Sequence, residues 1–239
     1  MTQGDILRRL LAWLVHLYTA LGAVVAVFTL AMVAEGRYRE ALALMGLALL
    51  LDATDGTFAR AARVKEVVPG LDGARLDDIV DYLNYVVVPC FLLLWAELLP
   101  AGHGWWLVCL PLLASAYGFS QTNAKTPDHH FLGFPSYWNV VAFYCFVLEG
   151  SPWFNGLLVI ALSVMVFVPI RYLYPSRNPV LQGLTIALGA VWGVLCLVVV
   201  YYLPEPPYGL AAASLFFPAY YLVLSFWLHL RHGLINRPR

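Results

Sequence analysis

The chain contains the run Asp52-Ala-Thr-Asp55-Gly56-Thr-Phe-Ala59-Arg60 and, after a gap of twelve residues, the run Gly73-Ala-Arg-Leu-Asp77-Asp78-Ile-Val-Asp81. Residues 52–81 hold seven of the chain's fourteen carboxylates. Ionisable groups are costly to keep in an apolar segment, and where they occur they mark a functional site by default. The stretch 52–81 is therefore our candidate active site, and the rest of the chain has to house it.

The composition is that of a polytopic membrane protein. Of 239 residues, 62% are hydrophobic and only 12% are charged, whereas soluble domains are about half apolar and a quarter charged. The net charge is zero and no basic run is present, so nucleic acid is not an expected partner. The four cysteines lie far apart in apolar runs, which predicts neither a disulfide framework nor a thiolate metal site.

Eight apolar segments are candidates for membrane helices, since a spanning helix needs about 20 apolar residues. Their approximate bounds are 10–34, 39–60, 76–97, 104–122, 136–149, 153–173, 180–202 and 208–230. The fifth segment is short, because Pro135 and Ser136 are typical of a helix start and Glu149-Gly150 of a stop. We predict an all-α membrane protein with about eight transmembrane helices.

The distribution of Lys and Arg predicts the orientation in the membrane. If the N-terminus is cytoplasmic, twelve of the fourteen basic residues lie on the cytoplasmic side, and only Arg37 and Arg39 lie on the other side. Cytoplasmic loops carry such an excess of basic residues. We therefore expect both termini in the cytoplasm and the stretch 52–81 at the cytoplasmic end of helices two and three.

The acidic residues fall at helical spacing. Asp52, Asp55, Gly56 and Ala59 stand at i, i+3, i+4 and i+7, and Gly73, Asp77 and Asp81 stand at i, i+4 and i+8. Each set shares one helix face. Two antiparallel helices joined by a short loop can turn these faces toward each other. Asp72 and Asp78 lie off the faces, and we interpret them as a loop or capping residue and a supporting residue.

Four carboxylates at close quarters repel one another unless cations intervene. Ligation by oxygen alone suits Mg²⁺ and Mn²⁺, which commonly bridge to phosphate oxygens. The interleaved small residues would let a bulky ligand approach the backbone, and the guanidinium of Arg60 suits a phosphate. The pattern indicates a metal-dependent phosphate or nucleotide site. A proton- or cation-coupled transporter, which also uses intramembrane carboxylates, is the alternative.

The pattern Asp-x-x-Asp-Gly-x-x-Ala-Arg, a gap, then Gly-x-x-x-Asp-x-x-x-Asp resembles the signature of the CDP-alcohol phosphotransferases, with every position present. The gap of twelve residues is longer than is usual in that family, and the predicted helices are more numerous. In these respects the chain is similar to the bacterial phosphatidylcholine synthase branch. The resemblance implies a single domain over 1–239, with an additional helix pair in 180–239.

This resemblance implies transfer of the phosphatidyl group of CDP-diacylglycerol to choline, with release of CMP, in the bacterial inner membrane. The direct partners would be the two substrates and membrane lipids, and a homodimer is possible. No protein nucleophile would be needed, since the alcohol would attack the phosphate in line. Another acceptor, such as serine, inositol phosphate or glycerol phosphate, stays open, although the scarcity of cationic residues beside the aspartates argues against a phosphorylated one.

The resemblance also implies roles for the signature residues. Asp52, Asp55, Asp77 and Asp81 would hold one or two Mn²⁺ or Mg²⁺ ions on the CDP pyrophosphate, and Asp81 would be the general base. The nucleotide and its phosphates would be bound by Asp52, Gly56, Ala59, Arg60 and Gly73.

Choline needs a different kind of pocket, because its quaternary ammonium has no proton to donate and is usually bound by aromatic faces. Tyr85 lies one turn beyond Asp81, with Tyr82 and Asn84 beside it, and these three are the predicted choline contacts. Four further aromatic candidates rank behind them: Trp13, Tyr117, Tyr137 and Trp138.

Several other polar residues have two interpretations. His16, in the first helix, is either a satisfied polar group of the core or a substrate contact. Arg171 and Arg177 either bind a lipid phosphate or act only as cytoplasmic anchors, and the adjacent His129 and His130 are expected to be solvated.

Overall fold

The protein is helical over most of its length in a computed structural model that describes residues 3–124, 126, 128–175, 178–207 and 209–235. Side chains are described as far as His232. Lys125, Arg177, Arg237 and Arg239, which contribute to the predicted orientation, lie outside these residues, and so does the predicted role of Arg177 at a lipid phosphate.

Five helices of the described chain are long and apolar enough to cross a membrane: Gln3–Ala34, Tyr38–Ala61, Gly73–Trp95, Gln182–Tyr201 and Leu210–His232. Three shorter apolar helices accompany them: Gly104–Ser120, Trp138–Val147 and Pro152–Met165. Each predicted segment overlaps one of these helices, so the prediction of an all-α membrane protein is confirmed. Large apolar side chains such as Trp105, Trp106 and Val223 point outward, as expected where the surroundings are lipid.

We number the elements in chain order. The helices are α1 (Gln3–Ala34), α2 (Tyr38–Ala61), α3 (Val64–Val67), α4 (Gly73–Tyr82), α5 (Val88–Trp95), α6 (Gly104–Ser120), α7 (Trp138–Val147), α8 (Pro152–Met165), α9 (Gln182–Tyr201), α10 (Leu210–Ser214) and α11 (Phe216–Ile235). The strands are β1 (His130–Leu132) and β2 (Arg171–Leu173).

The prediction that the sixth segment is helical as far as residue 173 is wrong. Helix α8 ends at Met165, and β2 pairs antiparallel with β1, with His130 opposite Leu173. Pro169 explains the change, because proline disfavours the helical conformation of the residue before it and cannot donate to a helix. The amide of Phe134 donates to the carbonyl of Met165 at 3.0 Å, which fixes this two-stranded β1–β2 sheet against the end of α8.

Helices α4 and α5 form one continuous span through a π-helical segment, Leu83–Val87. Pro89 follows this segment, has no amide hydrogen, and crowds the residue four positions earlier, which is Tyr85. The wider turn relieves this crowding, and such segments are frequent at functional sites. At the other end, Asp72 caps α4, since its Oδ1 accepts from the amides of Ala74 at 3.1 Å and Arg75 at 3.3 Å.

Helix α1 packs closely against α4. A Cβ atom on Gly22 would lie 2.5 Å from Cγ1 of Val80, so only glycine permits this approach. The buried Asn84 joins the same two helices, because its Nδ2 donates to the carbonyls of Gly22 and Val80, each at 3.0 Å. The antiparallel hairpin of α1 and α2 is thereby held against the helix that carries the second half of the acidic stretch.

The C-terminal helices are joined to the core through Tyr144 of α7. Its hydroxyl accepts from Nε1 of Trp192 on α9 at 2.8 Å and lies 2.9 Å from Oγ of Ser214 on α10. Thr185 on α9 and Tyr220 on α11 are also joined by a hydrogen bond between their hydroxyls, at 2.8 Å. Buried polar side chains thus connect this part of the chain to the rest.

Candidate active site

Three carboxylates of the acidic stretch meet between α2 and α4. One oxygen from each of Asp52, Asp55 and Asp77 lies within 4.8 Å of the others. Asp55 is buried, with only 7% of its surface exposed, and the other two are half-buried. Asp81 is also half-buried and lines the same cavity. The acidic faces of α2 and α4 therefore face each other as predicted, and three of the four carboxylates form a tight group.

Two hydroxyl groups fix the carboxylates from neighbouring helices. Oγ1 of Thr19 donates to Oδ2 of Asp55 at 2.8 Å, and the hydroxyl of Tyr85 donates to Oδ2 of Asp52 at 2.6 Å. Hydrogen bonds of this kind orient the ligands of a metal site. Thr19 is not part of the family signature, and its only signal in the sequence is a spacing of three from His16, which places both on one face of α1.

The cavity between these groups is narrow, with a volume of about 10 Å³. It is lined by Thr19, Gly22, Ala48, Leu51, Asp52, Asp55, Asp77, Val80, Asp81, Asn84 and Tyr85. This volume suits an ion or a water molecule. The polar groups at its wall are mostly carboxylates, which are the ligands that hard divalent cations prefer. The residues present therefore fit a divalent metal.

The signature glycines make room for two long side chains. A Cβ on Gly56 would lie 3.2 Å from Nη1 of Arg60, and one on Gly73 would lie 3.0 Å from Cε1 of His16. Arg60 is exposed, and its Nη2 donates to Oγ1 of Thr57 at 3.0 Å. A side chain at either position would therefore push the neighbouring guanidinium or imidazole aside, a reason for glycine that the sequence pattern did not show.

Ala59 lies in a small apolar cluster at the end of the same helix pair. It packs, half-buried, against the buried residues Ala12, Val64 and Val68. The cluster closes the bundle at the end that holds the start of α1 and the end of α2.

A second group of ionisable side chains surrounds the β1–β2 sheet. Nη1 of Arg171 contacts Oδ2 of Asp128 at 2.5 Å, and Nε2 of His130 lies 3.1 Å from Nδ2 of Asn178. Burial opposes ionisation of Asp128, but its hydrogen bond to Thr126 and the charge of Arg171 outweigh this and lower its pKa. The charge of Arg171 is thus compensated by Asp128, which weakens the interpretation of Arg171 as a lipid-phosphate ligand.

The two adjacent histidines of this region differ. His129 is exposed as expected, but the expectation of a solvated His130 is wrong, since His130 is buried. Its pairing in β1 turns the side chain inward toward Asn178. Burial lowers the pKa of His130, although the charge of Asp128 acts in the opposite direction.

A family model described as CDP-alcohol phosphatidyltransferase matches residues 13–225 of the chain. The chain belongs to this family. The phosphatidylcholine synthase of Legionella pneumophila is 42% identical over 225 residues, which cover 90% of this chain and 88% of the relative. That of Legionella bozemanae is 39% identical over 214 residues, with 86% and 98% covered. That of Pseudomonas aeruginosa is 38% identical over 181 residues, with 76% of each chain covered.

The resemblance inferred from the signature is thereby confirmed, including the likeness to bacterial phosphatidylcholine synthases. The chain is a multi-pass membrane protein of the CDP-alcohol phosphatidyltransferase family. It gathers acidic residues that suit a divalent cation in the segment where that family's signature lies.

In this phosphatidyltransferase the three predicted choline contacts occupy different positions. Tyr85 is buried at the cavity wall, where its hydroxyl binds Asp52. Asn84 also lines the cavity, but its amide nitrogen joins α1 to α4. Tyr82 is not part of the cavity wall, and its hydroxyl donates to the carbonyl of Leu112 on α6 at 2.9 Å. The hydroxyl of Tyr82, which follows Asp81 in the chain, is therefore directed to α6.

Among the lower-ranked aromatic candidates, only Tyr137 lies near the carboxylates. The charges of Asp52 and Asp81 both act on its hydroxyl, and its ring lies 5.9 Å from that of Tyr221 on α11. Trp138 is fully buried in the core, where its Nε1 donates to Ser115 at 2.8 Å. Trp13 and Tyr117 are exposed on the outside of the bundle.

Proposed function

We propose that this phosphatidyltransferase family member transfers the phosphatidyl group of CDP-diacylglycerol to choline and releases CMP. The observation that carries the proposal is the group of Asp52, Asp55 and Asp77, with Asp81 in the same cavity. The relatives named phosphatidylcholine synthase, which match most of the chain, support choline as the acceptor.

The carboxylates of Asp52, Asp55, Asp77 and Asp81 would hold one or two Mn²⁺ or Mg²⁺ ions. The three-residue group with oxygens within 4.8 Å supports this assignment. When bound, such an ion neutralises charge on the pyrophosphate and on the departing CMP. Arg60, whose guanidinium lies beside Gly56 at the exposed edge of the site, adds donors for a phosphate oxygen.

Asp81 acts as the general base. Its carboxylate takes the proton of the choline hydroxyl while the hydroxyl oxygen attacks the phosphorus that bears diacylglycerol. A new phosphorus–oxygen bond forms, the bond to CMP breaks, and the electron pair leaves with CMP. Asp81 then passes its proton to water. Neither a protein nucleophile nor a covalent intermediate is required.

Tyr85 and Asn84 border the choline pocket in this proposal, with Tyr137 as a further aromatic wall. A well-placed ring contributes about 0.5–2 kcal/mol to the binding of a quaternary ammonium. The hydroxyl of Tyr85 binds Asp52 at 2.6 Å, so the same residue would connect the acceptor pocket to the metal ligands.

The proposal includes a location. The protein would lie in the inner membrane of a bacterium as one domain over 1–239, with both termini and the active site on the cytoplasmic side. The excess of Lys and Arg in the loops on that side supports this orientation. A homodimer is a further hypothesis, which light scattering of the purified protein in detergent tests.

The test uses membranes from an expressing host that lacks its own choline pathway. They are supplied with CDP-diacylglycerol, Mn²⁺ or Mg²⁺, and a panel of labelled alcohols. We expect label from choline in lipid and an equal amount of CMP. Incorporation of another alcohol alone would retain the reaction but replace the acceptor. No lipid product and no CMP with any alcohol would reject the enzyme and favour cation-coupled transport.

A further inference from the structure

His16 is a polar side chain next to the carboxylates that the reaction above does not use. It is buried in α1, with 5% of its surface exposed. Its Nε2 atom is buried and has no hydrogen-bond partner among the described residues. A buried polar atom without a partner is destabilising and rare in native proteins. This nitrogen therefore calls for an explanation other than stability.

The position of His16 relates it to the site. His16, Thr19 and Gly22 follow one another at intervals of three along α1, and the latter two line the carboxylate cavity. His16 thus lies one turn, about 5 Å, from that level toward the start of α1. On α4, Gly73 likewise precedes Asp77 by one turn, and its missing Cβ leaves the space that the imidazole occupies.

Helix α2 contributes to the same level. It runs antiparallel to α1, and its Ala59 follows Asp55 by one turn. The site therefore has two layers. The first holds the carboxylates, which suit a pyrophosphate with its cation, and the second holds His16 against Gly73, at the level of Ala59. This second layer lies toward the end of the bundle and away from its middle.

The two groups attached to the pyrophosphate of CDP-diacylglycerol differ in what they need. The diacylglycerol needs apolar surroundings at the depth of the lipid, whereas the cytidine needs hydrogen-bond partners and room near the membrane surface. A layer of small residues with one unpaired nitrogen, at the end of the bundle, fits the cytidine. We propose that His16 binds the cytidine of the substrate through a hydrogen bond at Nε2. This inference rests on the proposed function.

The test compares substitutions at His16 with one at Thr29. H16L and H16F remove both nitrogens, whereas H16Q keeps an amide nitrogen at similar reach. T29V is the matched control, because Thr29 is buried on the same helix and bonds only the carbonyl of Val25, at 2.8 Å. Initial rates are measured against CDP-diacylglycerol and against choline, and CMP is used as a product inhibitor.

We expect H16L to raise the KM for CDP-diacylglycerol and the inhibition constant of CMP about tenfold each, the usual effect of one lost hydrogen bond. The KM for choline should not change, H16Q should recover most of the loss, and T29V should match the wild type. If H16L does not accumulate in the membrane, H16F takes its place. An unchanged inhibition constant of CMP in H16L or H16F would overturn the proposal.

Failure of the proposed function gives a different result. If the wild type incorporates no alcohol, the reaction is rejected, and calorimetric binding of CMP to the purified wild type and H16L then tests His16 alone. Weaker binding of CMP to H16L supports the role of His16. Equal binding, or no binding to either protein, overturns it.

Discussion

Two clusters of ionisable side chains in this apolar protein are built in opposite ways. One is the acidic site, which consists of Asp52, Asp55, Asp77 and Asp81, and the other surrounds the β1–β2 sheet. At the β1–β2 sheet, Arg171 contacts Asp128, so opposite charges compensate each other. In the acidic site, Asp52, Asp55 and Asp77 bring like charges together. Like charges at this distance disfavour one another's ionisation. A cluster that is compensated internally is explained by folding, whereas a cluster of one sign implies a cation.

The strongest way to break this comparison is to remove one carboxylate from each cluster. Asp81→Asn should lower kcat by about 10²–10⁴-fold, because the amide cannot accept the proton of choline. The Asp128→Asn variant, altered at the β1–β2 sheet, should keep close to the wild-type rate, although it loses the ion pair with Arg171. Incorporation of labelled choline into lipid measures both. The amounts of both variants in the membrane are compared by immunoblot. Substantial activity in Asp81→Asn would remove Asp81 as the base.

Tyr85 allows a finer test, because it connects the acidic site to the proposed choline pocket. Tyr85→Phe keeps the ring but loses the hydrogen bond to Asp52, so kcat should fall about tenfold with little change in the KM for choline. Tyr85→Ala should raise the KM for choline as well, because the ring is lost.

Steady-state kinetics against choline measures both effects, and Tyr82→Phe is the matched control. That substitution removes a hydroxyl with a similar bond, to the carbonyl of Leu112, away from the cavity. A fall in kcat as large in Tyr82→Phe as in Tyr85→Phe would mean that these hydroxyls act only through stability. An unchanged KM in Tyr85→Ala would place the choline pocket elsewhere.

Divalent cations should stabilise the protein through the acidic site alone. A ligand at about one hundred times its dissociation constant adds about 2.7 kcal/mol to the folded state, or roughly 5–10 °C in a chain of this size. Mn²⁺ should therefore raise the unfolding temperature of the wild type in detergent, and EDTA should reverse the effect.

Asp55→Asn should lose most of this gain, and its unfolding temperature without metal should be no lower than that of the wild type, because one like charge is gone. Asp128→Asn should keep the full response to Mn²⁺. A metal response that survives in Asp55→Asn would show that the ion binds away from the three-carboxylate group.

The difference between the two clusters also explains what the sequence could predict. The spacing of Asp52, Asp55 and Asp77 along two helices determines a face, and a short loop between the helices determines that the faces meet. By contrast, the hydroxyl partners of Asp55 and Asp52, which are Thr19 and Tyr85, lie 36 and 33 residues away, and no local spacing predicts such contacts. Strand β2 falls inside the predicted sixth helix because an apolar run of residues after Met165 reads the same in either form, and only Pro169 signals the break.

The smallest expected effect is at the β1–β2 sheet, and it is the dependence of stability on pH. Burial lowers the pKa of His130 below its ordinary value of 6.5, so the unfolded chain takes up its proton first as the solution is acidified. Stability from this residue is therefore fully present above pH 6.5 and declines as the pH falls below that value. Asp128 does not titrate in the same range, because its pKa is lowered from 3.8.

Thermal unfolding in detergent at several pH values from about 7.5 to about 5.5 measures this decline. The range brackets about 6.5, the ordinary pKa of histidine. His130→Asn should flatten this decline, because the asparagine side chain takes up no proton in this range. The reference is the profile of His129→Asn measured in parallel. This substitution replaces an exposed side chain and should leave the wild-type slope unchanged. Equal slopes for all three proteins would mean that the β1–β2 sheet tolerates a charged His130. Asp128 would then compensate the charge of His130 as well as that of Arg171.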